Sequence, residues 1–200
     1  MARGASDTHG RPFVLGRRAL LLGGAAIGGA AIAGAPRITS AAPSGADDVQ
    51  ALNLLLLVEH TQVAFYTEAL RRGGIKGEVL GFARQVASQE EEHLDVLKRA
   101  LGGQAGRKPG FEFGDATRDP DAFAAHAAGL EDLAVSAYNG RGSVVSRAVL
   151  AEAAKIVSVE ARHAAWIRSI VGDLPAPEAT DDTASPDEVR AGLSRLGLRR

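Results

Sequence analysis

Val86-Ala87-Ser88-Gln89-Glu90-Glu91-Glu92-His93-Leu94-Asp95-Val96-Leu97 carries its apolar residues at helical spacing, and Glu90 and His93 fall on that apolar stripe. Ionisable side chains are rarely buried without a partner. The same arrangement recurs downstream, where Glu160 and His163 lie in register with Ala153, Ile156, Ile167 and Ile170. Residues three apart on a helix share a face, so each Glu-x-x-His aims a carboxylate and an imidazole at one point. Glu91 and Glu92 read as a solvated face beside this stripe.

Working outward, each of these segments follows another that carries one stripe glutamate. Glu59 lies with Leu52, Leu55, Leu56, Val63, Tyr66 and Leu70, and Glu131 lies with Ala124, Ala127, Ala134 and Tyr138. The expected helices are residues 47–72, 78–101, 120–138 and 143–171, separated by Gly73-Gly74, Gly102-Gly103 and Asn139-Gly140-Arg141-Gly142. The connections run short, long, short, and Phe111 and Phe113 are placed to pin the crossing from Gly102 to Arg118. The halves read as a repeat: Tyr66 and Tyr138 each follow their glutamate by seven residues. The expectation is an all-α fold, two helical hairpins joined by one long crossover into a four-helix bundle. Ser185-Pro186-Asp187-Glu188 carries a capping box and predicts a short C-terminal helix, preceded by a flexible linker over residues 175–184.

The order Glu59, Glu90-x-x-His93, Glu131, Glu160-x-x-His163 is the ligand set that two metal ions need inside such a bundle. Carboxylates can bridge two ions, while an imidazole nitrogen ligates one. Glu90 and Glu160 are therefore assigned as bridges, His93 and His163 as ligands of one ion each, and Glu59 and Glu131 as terminal ligands. Four carboxylates balance two divalent cations. Mixed oxygen and nitrogen ligation suits iron or manganese. The chain has no cysteine, which excludes disulfides, thiolate sites and iron–sulfur clusters. Tyr66 and Tyr138 read first as core aromatics with a hydroxyl partner, and Trp166 as packing. His60 and His126 are not counted as ligands. Asp132 and Asp95 are weighed as residues that orient the ligand histidines.

The 200-residue chain has formal net charge -1 and only 4% aromatic residues, so nothing in it points to nucleic acid. Arg17-Arg18, the Gly/Ala-rich apolar run to Ala35 and the small residues Thr39 to Ala42 form an export signal of twin-arginine character, with cleavage expected after Ala41. Gly16 departs from the usual Ser or Thr before the arginine pair. The division expected is 1–45 signal and linker, 46–172 bundle and 173–200 tail. The location expected is the periplasm or the extracytoplasmic envelope, with the membrane touched only through the signal.

At its six ligand-type residues the chain resembles the ferritin-like diiron-carboxylate superfamily, over about residues 47–172. Their order matches bacterioferritin. Glu91 stands where the haem-binding methionine of bacterioferritins would be, so the resemblance implies no haem. Ala134 stands where rubrerythrin-type peroxidases carry a further glutamate. The group most similar overall is the exported ferritin-like proteins related to plant desiccation-associated proteins. The resemblance implies two iron ions, with manganese as the alternative, and reaction with O2 or peroxide. It also implies pairing into a homodimer. The competing expectation is a metal-sequestering or stress-protective envelope protein without turnover.

Overall fold

The structure is a computed structural model that describes residues 42–199. The arginine pair, the apolar run and the cleavage point after Ala41 lie outside the described residues. Four long helices, α1 (Ala46–Arg72), α2 (Gly77–Leu101), α3 (Pro120–Arg141) and α4 (Arg147–Val171), are followed by α5 (Pro186–Arg195). Among the described residues no helix is long and apolar enough to cross a membrane.

The helix ends follow local chemistry. Gly73 closes α1 in the left-handed conformation at φ 71°, with its N–H donating to the Ala69 carbonyl. The Asp119 carboxylate accepts from Ala122 N–H at the start of α3, with Pro120 at the first helical position. Ser146 accepts from Val149 N–H at the start of α4. Ser185 and Glu188 form the expected capping box of α5. The helices of the second hairpin thus carry side-chain caps, whereas Gly45 and Lys76 offer none to α1 and α2.

The turn between α3 and α4 departs from expectation. Residues 139–141 continue α3 for almost another turn, and α4 begins at Arg147 rather than near Ser143. Two long-range contacts account for the shift. Gly140 meets the Ala184 carbonyl so closely that an added Cβ would lie 2.1 Å from its oxygen. The backbone N–H of Ser146 donates to Asp48 of α1 at 2.7 Å, which fixes where α4 starts.

The crossover and the tail are also tied down. Gly110–Phe111 (β1) pairs antiparallel with Leu198–Arg199 (β2), a two-stranded ladder the sequence reading did not include. Phe113 is buried and packs edge-on against Phe65 at 5.4 Å. Residues 175–184 form no helix or strand, but Ala184 N–H donates to the Ser136 carbonyl at 2.9 Å. Val189 and Leu193 of α5 are fully buried, and Gly192 lets α5 approach Leu133 of α3. Covered in this way by α2, α3, the crossover and α5, α1 is buried well beyond one stripe.

Two apolar clusters fill the bundle. One is aliphatic, with Leu52, Leu55, Leu56, Leu97 and Ile156; the other is rich in rings, with Phe65, Tyr66, Phe82 and Phe123. Along α1 and α4 the chain runs from the aliphatic cluster to the aromatic one, and along α2 and α3 it runs the other way. The long crossover therefore carries the chain back to the end where α2 began, which makes α2 and α3 parallel. On all four helices the stripe residues Glu59, Glu90, His93, Glu131, Glu160 and His163 fall between the two clusters.

Candidate metal centre

All six residues are buried: the four glutamates have no exposure, and the two histidines have 3–4%. They converge as two overlapping groups, Glu59, Glu90, His93 and Glu160 in one, Glu90, Glu131, Glu160 and His163 in the other. Within each group one donor atom per residue lies within 4.8 Å of all the others. Glu90 and Glu160 are common to both groups, while each histidine and each remaining glutamate belongs to one. His93 Nδ1 lies 2.8 Å from Glu160, 3.0 Å from Glu90 and 3.8 Å from Glu59. His163 Nδ1 lies 2.9 Å from Glu90 and 3.4 Å from Glu131. The ring centroids are 6.3 Å apart.

No lysine or arginine forms an ion pair with these carboxylates among the described residues; the two histidines are their cationic partners. Burial raises the pKa of Glu59, and the charges of Glu160 and Glu90 raise it further. Burial and the charge of Glu90 raise Glu160 as well. Burial is also the main cause pushing Glu131 up to about 8, against the contact with His163. Burial opposes the charge of Glu90 too, but contacts with both imidazoles hold it at about 2. For the imidazoles burial disfavours the cation, yet Glu160 and Glu90 push His93 up to about 11, and Glu131 and Glu90 push His163 up to about 10. These shifts favour protons on the cluster, and a cation binding there would compete with them.

The donor set fits a pair of cations. Glu59 Oε2, Glu90 Oε1, Glu160 Oε1 and His163 Nδ1 are buried atoms without a hydrogen-bond partner. A buried polar atom left in that state costs about 1–3 kcal/mol. His163 Nδ1 and Glu90 Oε1 are 2.9 Å apart yet not aligned as donor and acceptor. Neighbouring ligands of a cation with bonds of ~2.1 Å lie about 3 Å apart, so these separations suit convergence on an ion.

The two tyrosines face the site rather than merely packing near it. Tyr66 OH donates to Glu131 Oε1, and Tyr138 OH donates to Glu59 Oε1 at 2.5 Å. Each hydroxyl crosses to the glutamate of the other half. Burial raises both phenols well above their usual pKa, with Glu131 acting next on Tyr66 and Glu59 on Tyr138, so both remain donors.

Two glutamines escaped the sequence reading. Gln62 is fully buried and donates through Nε2 to Glu160 at 3.0 Å and to Glu131 at 3.3 Å. The only signal was its position three after Glu59, on the same stripe. Gln89 Oε1 lies 2.7 Å from His163 Nε2 and takes the orienting role weighed for Asp132. Asp132 instead pairs with Arg168 at 2.5 Å, and Asp95 is exposed. His60 and His126 stand outside both groups; His126 stacks on Phe65 and contacts the Leu196 carbonyl, and Trp166 packs edge-on against Phe82.

A family model described as a ferritin-like domain matches residues 47–173. No curated protein matches the chain significantly. The match spans all four long helices and every residue of the two Glu/His groups, and on that extent the chain belongs to the ferritin-like domain family.

Proposed function

We propose that this protein binds two iron ions, with manganese as the alternative occupant, and that the loaded centre oxidises Fe(II) or reduces O2 or peroxide outside the cytoplasmic membrane. The observation that carries the reading is the pair of buried groups sharing Glu90 and Glu160. Glu59 and His93 would complete the first position, and Glu131 and His163 the second. When bound, two adjacent ferrous ions supply the two electrons that reduce one peroxide, with two protons, to two waters.

The chain's own residues prepare that chemistry. Tyr66 and Tyr138 hold the terminal carboxylates. The aliphatic and aromatic clusters on either side of the ligand layer exclude bulk water. The twin-arginine-like signal supports the proposed location, because that route carries folded proteins with metal already inserted.

The second reading, a sequestering or envelope-protective protein, is favoured by the many unpartnered buried ligand atoms, which make a bound metal a folding staple. Anaerobic titration with Fe(II), followed by peroxide and a thermal melt with and without metal, separates the two. Saturable uptake near two ions per chain and rapid oxidation support the redox reading. Uptake with a large rise in melting temperature but ferrous iron inert to O2 and peroxide supports the second. No saturable uptake of iron or manganese defeats both.

A further inference from the structure

We propose that the two metal positions are unequal, and that Gln62 and Gln89 make the position of Glu131 and His163 the tighter one, filled first. The inference rests on the dimetal reading above.

The repeat allows each position to be compared with its counterpart. Gln62 lies three after Glu59; the residue three after Glu131 is Ala134, which is buried and apolar. Gln89 directly precedes Glu90; the residue preceding Glu160 is Val159. Both carboxamides act on the same side. Glu131 receives Tyr66 on one oxygen and Gln62 on the other. Glu59 receives Tyr138 on one oxygen, and its other oxygen is buried and unpartnered. His163 is held at Nε2 by Gln89, which leaves Nδ1 to face the carboxylates. His93 makes its hydrogen bond through Nδ1, and no side chain holds its Nε2 among the described residues.

Holding a ligand in place before the ion arrives removes an ordering cost from binding. With Gln89 Oε1 accepting from Nε2–H, Nδ1 would be left as the ligating nitrogen, and the imidazole would be strengthened as a donor. A carboxylate oxygen has two acceptor sites, so donation from Gln62 leaves Glu131 able to ligate. Glu160, the second acceptor of Gln62, belongs to both positions and does not distinguish them. Glu131 belongs to one, and there the imbalance lies.

The test is titration of metal-free protein with Co(II), followed calorimetrically and by visible absorption. Wild type is expected to bind two ions in separate steps at least about 10-fold apart. Gln62→Leu and Gln89→Leu are each expected to weaken binding at the position of Glu131 and His163 by about 10–100-fold, the range for residues that orient metal ligands, and so to shrink or reverse the gap between the steps; Gln89→Leu should leave the position of Glu59 and His93 unchanged. Crystals of wild type given one Co(II) per chain should show anomalous scattering beside Glu131 and His163, a reading that needs no variant to fold. Two equivalent ions, a first ion beside Glu59 and His93, or variants that weaken only the second step overturn the inference while leaving the dimetal reading intact. No Co(II), iron or manganese uptake by wild type defeats the dimetal reading itself, and this inference with it.

Discussion

The α1–α2 hairpin and the α3–α4 hairpin carry the same pattern of Glu followed by Glu-x-x-His but are built differently around it. The first lacks side-chain N-caps and is held by burial, since α1 is enclosed by α2, α3, the crossover and α5. The second has both helices capped, and the Ala184 carbonyl packs on Gly140. The first hairpin supplies both glutamines, and both act on residues of the second: Gln62 on Glu131 and Glu160, Gln89 on His163. The tyrosines, by contrast, are exchanged evenly. A repeated motif therefore preserves which residues converge, while unequal neighbours decide how firmly each is held.

The largest expected effect erases the comparison. Glu90→Ala and Glu160→Ala remove carboxylates common to both groups, so metal content after dialysis should fall from about two ions per chain to none, a loss of more than about 100-fold in affinity. Glu59→Ala and Glu131→Ala should each spare one ion. Equal losses in all four variants would show that the positions are not separable.

Next is the contact that distinguishes the second hairpin. Gly140→Ala places a methyl against the Ala184 carbonyl. The gain of about 1 kcal/mol in helix propensity should be outweighed, for a net cost of about 1–3 kcal/mol by urea unfolding. Protease should also cut within residues 175–184 sooner than in wild type. An unchanged cleavage rate would mean that this contact does not hold the tail.

The tyrosines sharpen the comparison further. Tyr138→Phe leaves Glu59 without a donor, whereas Tyr66→Phe leaves Glu131 still bonded to Gln62. The first should destabilise the metal-free protein by about 1–2 kcal/mol, and the second by less. A reversed order would show that Gln62 does not support Glu131.

The smallest effect concerns the tie between the hairpins. Asp48 of α1 accepts from Ser44 N–H and hydroxyl and from Ser146 N–H at the start of α4. Desolvation raises its pKa, but the N–H groups of Ser146 and Ser44 outweigh this and hold it at about 2, below the usual 3.8. A pKa lowered by folding stabilises the native state above the unfolded value, and that stability is lost as pH falls through the folded one. Asp48→Asn should therefore cost about 1 kcal/mol at neutral pH, with the two unfolding midpoints converging between pH 4 and pH 2. A constant difference across that range would remove the carboxylate as the cause.

The layer of buried Glu and His side chains was legible because helical periodicity is a local property. Glu59, Glu90, His93, Glu131, Glu160 and His163 stood out as ionisable groups on stripes that otherwise read as core, and the structure buries all six. Gln62 and Gln89 did not stand out, because an uncharged polar residue on a helix is ordinary and acquires meaning only from what it faces. The tyrosine hydroxyls were ambiguous for the same reason: a Tyr on a core stripe is compatible with simple packing until its acceptor is located. The Gly-rich segment after Tyr138 was misread because Gly140 answers to a close approach by residue 184 rather than to a local turn. Strands of two residues such as β1 and β2 have no periodicity to read, and their partners lie almost ninety positions apart.

From its sequence alone, then, the protein determined the helices, their apolar faces, the cap at Ser185 and the order of ligand-type side chains, all set by interactions within a turn or two of the chain. Only the tertiary structure decided which tyrosine serves which glutamate, which histidine is held, where α4 begins and how the tail closes on α3. Those outcomes depend on groups far apart in sequence meeting in a buried space, where each unpartnered polar atom costs free energy and the packing selects which pairs form.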